Sequence, residues 1–276
     1  MKIVRTFATS ANLGPGFDCL GICFDLYNEY EFFLSDKYTI EGFSEKFSNP
    51  IDNLIVNKKI QFLTIRQKIQ NIPVSRGLGS SASCIVAGII MANEILGGIL
   101  SKDEIFQIAS MIEGHPDNVA PLIFGGFTCS FQEDKYHYIN LDVASNLQFF
   151  FLIPNFELST EVARASLPSC VLLEEVVSTL SHSILMVKAL EKGDFSLLKM
   201  AKKDLIHEPY RYQFIDPKKE MRKILEDYED IVGLISGAGP SILLISEQDI
   251  KNKFSIKNWQ LVSVKISNVG AYVYER

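Results

Sequence analysis

The sequence lacks any long apolar run. Its most apolar stretches, residues 84–92 and 149–154, are far shorter than the roughly 20 residues that a membrane-spanning helix needs. No apolar segment follows Lys2 and Arg5 at the N-terminus, so the pattern of a secretory signal peptide is missing. We therefore expect a cytoplasmic protein with no membrane partner.

Cysteine is scarce and unpatterned. The 276 residues contain five, with no Cys-x-x-Cys pair: Cys19, Cys23, Cys84, Cys129 and Cys170. This usage fits reduced, buried thiols in a cytosolic protein and argues against a disulfide framework. The chain has only four histidines, none of them near Cys19 or Cys23 in sequence, so a cysteine-based metal site is not expected.

A surplus of basic residues is also missing. Lysine and arginine total 27 against 33 acidic residues, a net charge of −6, and no basic cluster stands out. We therefore expect no nucleic-acid partner. The apolar content of 47% and the charged content of 22% are typical of a globular protein, and the length suits one large or two modest domains.

Helix and strand patterns are mixed along the chain rather than strictly alternating, which indicates an α+β fold. Strands are predicted at 2–6, 24–34, 38–43, 126–131, 136–141, 149–154, 231–236, 242–246, 261–266 and 271–275. Helices are predicted at 53–69, from about 81 to the glycines at 97–98, and at 101–111, 160–167, 172–191, 195–206 and 218–228. We expect the strand at 24–34 to pair with the strand at 38–43.

Glycine and serine concentrate in residues 73–83, directly before an apolar run. Gly77 and Gly79 permit backbone conformations and close approaches that side chains block. The apolar run predicts a buried helix that begins near Ser81 or Ala82. Free N–H groups at the start of such a helix, together with its dipole, form an anion site whose usual occupant is phosphate. A simple helix cap is the alternative interpretation.

Two common phosphate motifs are excluded, because no Lys-Ser or Lys-Thr follows the second glycine and the glycine spacing is not Gly-x-Gly-x-x-Gly. The order Pro-x-x-x-Gly-Leu-Gly-Ser-Ser-Ala instead resembles the ATP-phosphate motif of the GHMP kinases, the family of galacto-, homoserine, mevalonate and phosphomevalonate kinases. Three more segments, residues 9–18, 113–121 and 236–241, resemble the homoserine kinase branch of that family. Four motifs in order across nearly the whole chain are far more specific than any one of them.

The resemblance implies the two-domain α+β architecture of GHMP kinases, with an N-terminal ribosomal-S5-like α/β domain, a C-terminal ferredoxin-like α+β domain and the nucleotide at their interface. We place the ATP-binding domain at residues 1–147 and the second domain at residues 148–276. The resemblance also implies ATP and Mg²⁺ as cofactors and a homodimer. The implied activity is ATP-dependent phosphorylation of the hydroxyl of L-homoserine in threonine biosynthesis.

By the same resemblance, the glycine-rich stretch binds ATP. The residues implied are Pro73, Val74, Ser75, Arg76, Gly77, Leu78, Gly79, Ser80, Ser81, Ala82 and Ser83. A hydroxyl of this loop reaches Mg²⁺ in the family, which maps to Ser81. The family's metal-binding glutamate falls on Gln107, a departure, because a neutral amide binds Mg²⁺ less strongly than a carboxylate. Either Gln107 acts through water, or Glu104 or Glu113 takes its place.

An amino-acid acceptor presents an ammonium, which needs a carboxylate partner, and a carboxylate, which arginine binds bidentately. The resemblance places Asn12 and Asp18 at the hydroxyl and amino end of the acceptor. The residues that match the family's carboxylate-binding positions or line the same pocket are Thr160, Arg164, Arg211 and His115.

The catalytic candidates are Asn12, Asp117 and Asn118. In some GHMP kinases the aspartate of the Asp-Asn pair is the base, which would be Asp117. For homoserine kinases a mechanism without a protein base is also considered, in which Asn12 and the γ-phosphate manage the hydroxyl proton. Two other functions stay open: a GHMP kinase for an acceptor without an ammonium, such as a mevalonate or shikimate type, and a non-catalytic sensor, which Gln107 favours.

Overall fold

The computed structural model describes residues 1–35, 39–42, 63–253 and 255–276. These residues contain eleven strands: β1 Lys2–Ala11, β2 Leu20–Leu34, β3 Thr39–Glu41, β4 Leu63–Gln70, β5 Phe127–Gln132, β6 Tyr136–Leu141, β7 Gln148–Pro154, β8 Val232–Ile235, β9 Ile242–Ser246, β10 Trp259–Val264 and β11 Tyr272–Glu275. They also contain eight helices: α1 Ser80–Ile95, α2 Lys102–Glu113, α3 Val119–Phe124, α4 Thr160–Ala165, α5 Leu173–Lys192, α6 Phe195–Ala201, α7 Glu208–Ile215 and α8 Glu220–Glu226. The mixture is the predicted α+β class.

The first sheet has seven strands in the order β11-β1-β2-β4-β3, with β5 paired to the start of β2 and β6 paired to β5. Strands β5 and β6 form the hairpin that the sequence predicts, with Phe127 opposite Leu141 and Gln132 opposite Tyr136. Helices α1, α2 and α3 cover one face of this sheet, where Val86, Phe106 and Leu122 belong to one buried cluster. The sheet and α1 thereby fix the position of the glycine-rich stretch.

The second sheet is antiparallel, in the order β10-β7-β9-β8. Strand β7, one of the two inner strands of this sheet, is apolar along almost its whole length because both faces of the strand are covered. Phe149 and Phe151 pack with residues of α5, α6 and the first sheet, and Phe150 and Leu152 pack with residues of α4, α7 and α8. Packing on this second face holds α4 and α7 near the glycine-rich stretch.

The last strand returns to the first sheet. In an antiparallel pairing, β11 places Glu275 opposite Lys2 and Tyr272 opposite Arg5. Residues 272–275 therefore belong structurally with the N-terminal strands. The predicted domain boundary at 147/148 stays a prediction. That boundary would place β11 in a different domain from β1, the strand to which β11 is hydrogen-bonded.

Three sequence predictions are wrong where the structure describes them, and two helices are absent from the prediction. Residues 63–69 of the predicted helix over 53–69 form strand β4, and residues 53–62 lie outside the described part of the chain. Strand β3 pairs in parallel with β4 rather than with β2, because β4 occupies that edge of β2. Helix α6 ends at Ala201 instead of residue 206, and neither helix α3 nor helix α7 is among the predicted helices.

Among the described residues, no helix combines the length and the apolar composition that crossing a bilayer requires.

Candidate active site

The glycine-rich stretch lies between β4 and α1, and α1 begins at Ser80 within it. Gly77 and Gly79 have φ angles of +71° and +70°, a region that disfavours other residues. A Cβ on Gly77 would collide with the carbonyl oxygen of Ser236, and a Cβ on Gly79 would collide with the Thr9 hydroxyl. The stretch therefore forms a tight loop at the start of a buried helix, as predicted.

This loop borders a cavity of about 250 Å³. Sixteen of the residues proposed from the sequence line it: Asn12, Asp18, Val74, Ser75, Arg76, Gly77, Leu78, Gly79, Ser80, Ser81, His115, Asp117, Asn118, Thr160, Arg164 and Arg211. They lie in loops and in helices α1, α4 and α7, in segments far apart in sequence. The structure therefore brings the predicted phosphate loop and the predicted acceptor residues to one site.

Four predicted residues do not line the cavity. Ala82 and Ser83 are buried in the core, and the Ser83 hydroxyl lies 2.7 Å from the Thr6 hydroxyl. Pro73 precedes the part of the loop that faces the cavity. These three residues are absent from the cavity lining, so a contact of theirs with ATP stays a prediction.

Gln107 is the fourth, and its predicted metal role is corrected. Its amide nitrogen donates to the carbonyl oxygen of Tyr136 at 2.8 Å, and its amide oxygen accepts from the Tyr136 N–H at 2.9 Å. Both polar atoms are thus used in fastening α2 to β6. Gln107 sits on the face of α2 that packs on the hairpin and is not directed at the cavity.

Glu113, at the end of α2, is the carboxylate that reaches the phosphate loop. It lines the cavity and accepts a 2.8 Å hydrogen bond from the Ser81 hydroxyl. Burial raises the pKa of Glu113, Asp117 adds to the rise, and Ser81 and His115 oppose it. Glu104, the other alternative, completes the capping box with Ser101 at the opposite end of α2. A partly buried carboxylate beside a hydroxyl, with no ion pair to a basic side chain within residues 1–35, 39–42, 63–253 and 255–276, is a donor set that suits Mg²⁺.

The segment from 115 to 118 is held by Asp117. Its Oδ1 accepts from the Asn118 N–H at 2.9 Å and lies 2.8 Å from Nδ1 of His115. Burial lowers the pKa of His115, but the hydrogen bond and the charge of Asp117 outweigh it, so that the pKa is raised overall. The Thr9 hydroxyl donates to Oδ1 of Asn118 at 2.7 Å, which joins this segment to β1.

Asn12 shapes the first loop, residues 12–19 between β1 and β2. Its Nδ2 donates to the carbonyl oxygen of Gly237 at 2.8 Å, and its Oδ1 accepts from the Asp18 N–H at 3.0 Å. Asn12 and Asp18 both have positive φ angles, 72° and 55°. Such strained backbone at polar residues is common at functional sites, where the surrounding structure maintains it.

The carboxylate of Asp18 faces Arg164, which lies on α4. Nη1 and Nη2 of the arginine donate to the two carboxylate oxygens at 3.1 and 2.8 Å, a bidentate pair. Both side chains are partly exposed, at 43% for Arg164 and 33% for Asp18, so the cavity gives access to the pair. Thr160, in the first turn of the same helix, lines the cavity beside them.

Arg211, on α7, approaches the same cavity from behind. It is 2% exposed, and its Nη1 donates to the carbonyl oxygen of Gly237 at 2.9 Å. Its Nε is buried and has no hydrogen-bond partner in the part of the chain that the structure describes. Burial, together with the charge of Arg164, lowers the pKa of Arg211 to about 10. A buried guanidinium with an unpaired donor, beside a second arginine, is suited to an anionic ligand.

Residues 236–241, here called the third motif, hold the phosphate loop and the first loop together. The Ser236 hydroxyl donates to the carbonyl oxygen of Gly77 at 2.7 Å, and the Gly237 N–H donates to the carbonyl oxygen of Ala11 at 3.1 Å. The glycines permit this close packing, as predicted. Gly237 was not itself proposed as a site residue, although its carbonyl oxygen receives both Asn12 and Arg211.

Comparison with known proteins identifies the family. Residues 42–126 match the family described as GHMP kinases N terminal domain. A homoserine kinase of Clostridium beijerinckii is 40% identical, over 100% of this chain and 99% of its own length, and one from Clostridium botulinum is equally similar over the same shares. The chain belongs to the GHMP kinases, in their homoserine kinase branch. The crystal structure of a homoserine kinase from Cytophaga hutchinsonii matches this GHMP kinase with a TM-score of 0.82 and 27% identity, covering 99% of this chain and 97% of that one.

Membership confirms the predicted two-domain α+β GHMP kinase fold, and this GHMP kinase is an enzyme. The family match covers the glycine loop and the segment around Asp117, and the full-length relatives extend it to α4 and α7. The assignments of individual residues to ATP, metal and acceptor rest on the site geometry described above.

Proposed function

We propose that this GHMP kinase transfers the γ-phosphoryl group of ATP to the hydroxyl of L-homoserine, giving O-phospho-L-homoserine, a step of threonine biosynthesis. The observation that carries the proposal is the meeting of three charged groups beside the phosphate loop: the carboxylate of Asp18 and the guanidinium groups of Arg164 and Arg211. An ammonium and a carboxylate on one small acceptor complement this set. The acceptor hydroxyl then faces the cradle that holds the phosphates.

Release of ADP tests this directly. Purified enzyme with ATP and Mg²⁺ should form ADP with L-homoserine, but far less with 4-hydroxybutanoate, which lacks the ammonium, or 3-aminopropan-1-ol, which lacks the carboxylate. Equal rates with homoserine and with 4-hydroxybutanoate would instead support an acceptor of the mevalonate type. No ADP above the background without acceptor would refute the proposal.

The phosphates of ATP are assigned to the backbone N–H groups at the start of α1, supported by the helix dipole. In GHMP kinases, as in other phosphoryl transferases, the transition state is stabilised mainly by positioning and by charge, so the loop's rigidity matters as much as its donors. Hydrogen bonds from the third motif supply that rigidity. The Arg76 guanidinium adds to it by donating to the carbonyl oxygen of Pro154 at the end of β7 at 3.1 Å.

Ser81 and Glu113 are the residues that would hold Mg²⁺. The metal, when bound, neutralises charge on the β- and γ-phosphates. Glu113 would supply the carboxylate that Gln107 lacks, which favours a metal-dependent kinase over the metal-free sensor that Gln107 suggested.

Glu113→Gln is expected to raise the Mg²⁺ concentration for half-maximal ADP release about tenfold, because the substitution keeps the size of the side chain and removes its charge. Glu104→Gln is the matched control on the same helix and should leave the Mg²⁺ dependence unchanged. An Mg²⁺ titration at fixed ATP measures both, and an unchanged midpoint in Glu113→Gln would remove Glu113 from the metal site.

Removal of the proton from the acceptor hydroxyl is the remaining step of the reaction. We infer that Asp117 anchors its loop, because its Oδ1 is already bonded to His115 and Asn118. Asn12 and Asn118 then orient the hydroxyl toward the γ-phosphate. Asp117→Asn keeps an oxygen for these bonds, so kcat should fall by about tenfold or less, whereas loss of a general base costs about 10²–10⁴-fold. Single-turnover rates separate the two outcomes.

We propose that the enzyme works in the cytoplasm as a homodimer. All five cysteines are unpaired, which suits a reducing compartment. Helix α5 exposes four apolar side chains at spacings of four, three and four residues, a pattern typical of helix–helix seams: Leu173, Val177, Leu180 and Ile184. A second copy of the chain, packed on this stripe, would cover them.

Leu180→Glu should therefore convert the dimer to a monomer in sedimentation equilibrium. Ile99→Glu, an exposed apolar position away from α5, is the control and should remain dimeric. A wild-type monomer at micromolar concentration would contradict the dimer.

A further inference from the structure

His207 lies directly behind Arg211. It is not one of the residues assigned above to the acceptor or to the nucleotide. The ring is completely buried and does not line the cavity. Its backbone is fixed because Asp204 accepts hydrogen bonds from the N–H groups of His207 and Glu208 at 2.9 and 2.7 Å. Phe17, from the first loop, stacks on the ring at 5.2 Å between centroids. The ring therefore has a single, well-supported position.

Both ring nitrogens of His207 have a partner. Nε2 lies 2.8 Å from the carbonyl oxygen of Gly14, and Nδ1 lies 3.1 Å from Nη1 of Arg211. A carbonyl only accepts hydrogen bonds and a guanidinium only donates them, so Nε2 carries the proton and Nδ1 is the acceptor. Burial, which outweighs the charge of nearby Asp204, lowers the pKa of His207 to about 4, so the ring stays neutral near pH 7.

These bonds determine which edge of the Arg211 guanidinium is available. Nη1 donates to His207 and to the carbonyl oxygen of Gly237, which occupies both of its hydrogens. The remaining donors are Nε–H, which has no partner among the described residues, and the two hydrogens of Nη2. Nε and Nη2 together form the side-on fork with which arginine binds a carboxylate bidentately.

The same bonds join the three segments that build the acceptor pocket. His207 connects α7 to Gly14 in the first loop, and Arg211 connects α7 to Gly237 in the third motif. Asn12 completes this hydrogen-bond network, because its Nδ2 also donates to the carbonyl oxygen of Gly237. A change at His207 is therefore transmitted first to the guanidinium.

We propose that His207 is a positioning residue that presents the Nε–Nη2 edge of Arg211 to the carboxylate of the acceptor. The proposal rests on the proposed function, in which that acceptor is L-homoserine. His207 itself does not contact the acceptor. Without its Nδ1, one hydrogen of Nη1 loses its acceptor, and the guanidinium turns to find another.

Two substitutions separate the two bonds of the ring. His207→Gln places an amide N–H near the position of Nε2 and keeps the bond to Gly14, but removes the acceptor for Arg211. His207→Asn places an amide oxygen near Nδ1 and keeps that acceptor, but removes the bond to Gly14. His137→Asn is the matched control, since His137 also stacks on a phenylalanine, Phe131, and lies 3.2 Å from a carboxylate, but on the surface of the hairpin.

The expected result is a rise of about tenfold in KM for homoserine in His207→Gln, with KM for ATP and kcat within about twofold of wild type. His207→Asn should restore most of the homoserine affinity, and His137→Asn should change neither KM. In an Arg211→Ala background, His207→Gln should add no further loss. Equal effects of the Gln and Asn variants, or KM values for ATP and homoserine that rise together, would overturn the proposal.

A spectroscopic measurement on the unsubstituted enzyme covers the case in which a variant does not fold. In ¹⁵N-histidine NMR at pH 7, His207 should be the neutral Nε2–H tautomer, with an Nδ1 signal that shifts when homoserine is added. An Nδ1–H tautomer, or no shift, would also overturn the proposal. If the wild type forms no ADP with homoserine, the proposed function fails independently of this result.

Discussion

Gly77→Ala is expected to lower kcat/KM for ATP by about a hundredfold, because a displacement of about 1 Å in a site that works by positioning has an effect of this size. The added Cβ would meet the carbonyl oxygens of Ser236 and Gly239, which are backbone atoms and have no freedom to rotate away. The loop and the third motif must therefore separate. The N–H groups that hold the phosphates move with the loop.

Gly97→Ala is the matched control for this substitution. Gly97 also has a positive φ, 87°, but an added Cβ would find no atom within 4 Å. Both variants pay the same conformational penalty of roughly 1 kcal/mol in stability, and only Gly77→Ala adds the collision. ADP release at varied ATP, with melting temperatures for both variants, separates the two effects. Equal kinetics in the two variants would mean that the loop does not hold the phosphates.

Asp18→Asn is expected to raise KM for homoserine by about tenfold while KM for ATP stays unchanged. Removing the charged partner of an ammonium is worth roughly 1.5–3 kcal/mol. The lower end applies because Asp18 is partly exposed and water weakens the interaction. The loss should disappear with 4-hydroxybutanoate, which has no ammonium for Asp18 to bind.

The ion pair between Asp18 and Arg164 gives this prediction its selectivity. In the protein alone, the two charged groups satisfy each other. A zwitterionic ligand replaces this one ion pair by two, because its ammonium pairs with Asp18 and its carboxylate pairs with Arg164. A ligand with a single charge leaves either Asp18 or Arg164 without a partner. Asp134→Asn, at a surface carboxylate bonded to His137, is the control and should change neither KM. An unaltered KM for homoserine in Asp18→Asn would remove the ammonium from the site.

Local chemistry explains which parts of the site the sequence predicts well. The positive φ angles of Gly77 and Gly79 are requirements that glycine meets on its own, and the capping box at Ser101 and Glu104 is a pattern of four residues. The cavity is different, because it joins residues that the fold brings together. Arg164 and Arg211 are separated by 47 positions, and only the resemblance to a family connects them before the structure does.

The wrong predictions concern residues whose conformation is decided by tertiary contacts rather than by local sequence. Strand β4 has apolar residues that also fit a helical spacing, but hydrogen bonds to β2 and β3 decide its conformation. Counting along the chain places the metal ligand at Gln107, whereas the packing of α2 on β6 turns that residue away from the cavity. Glu113, six residues later, faces the loop. Pro209, in the first turn of α7, is the sequence signal for that helix.

The most direct test is a crystal structure of the enzyme with a nonhydrolysable ATP analogue, Mg²⁺ and L-homoserine. The triphosphate is expected against the backbone N–H groups at the start of α1, with Mg²⁺ near Ser81 and Glu113. The homoserine ammonium should lie at Asp18 and its carboxylate at Arg164 and Arg211, with the original ion pair opened. A nucleotide bound elsewhere, or homoserine in the cavity with Asp18 and Arg164 still paired to each other, would contradict the account.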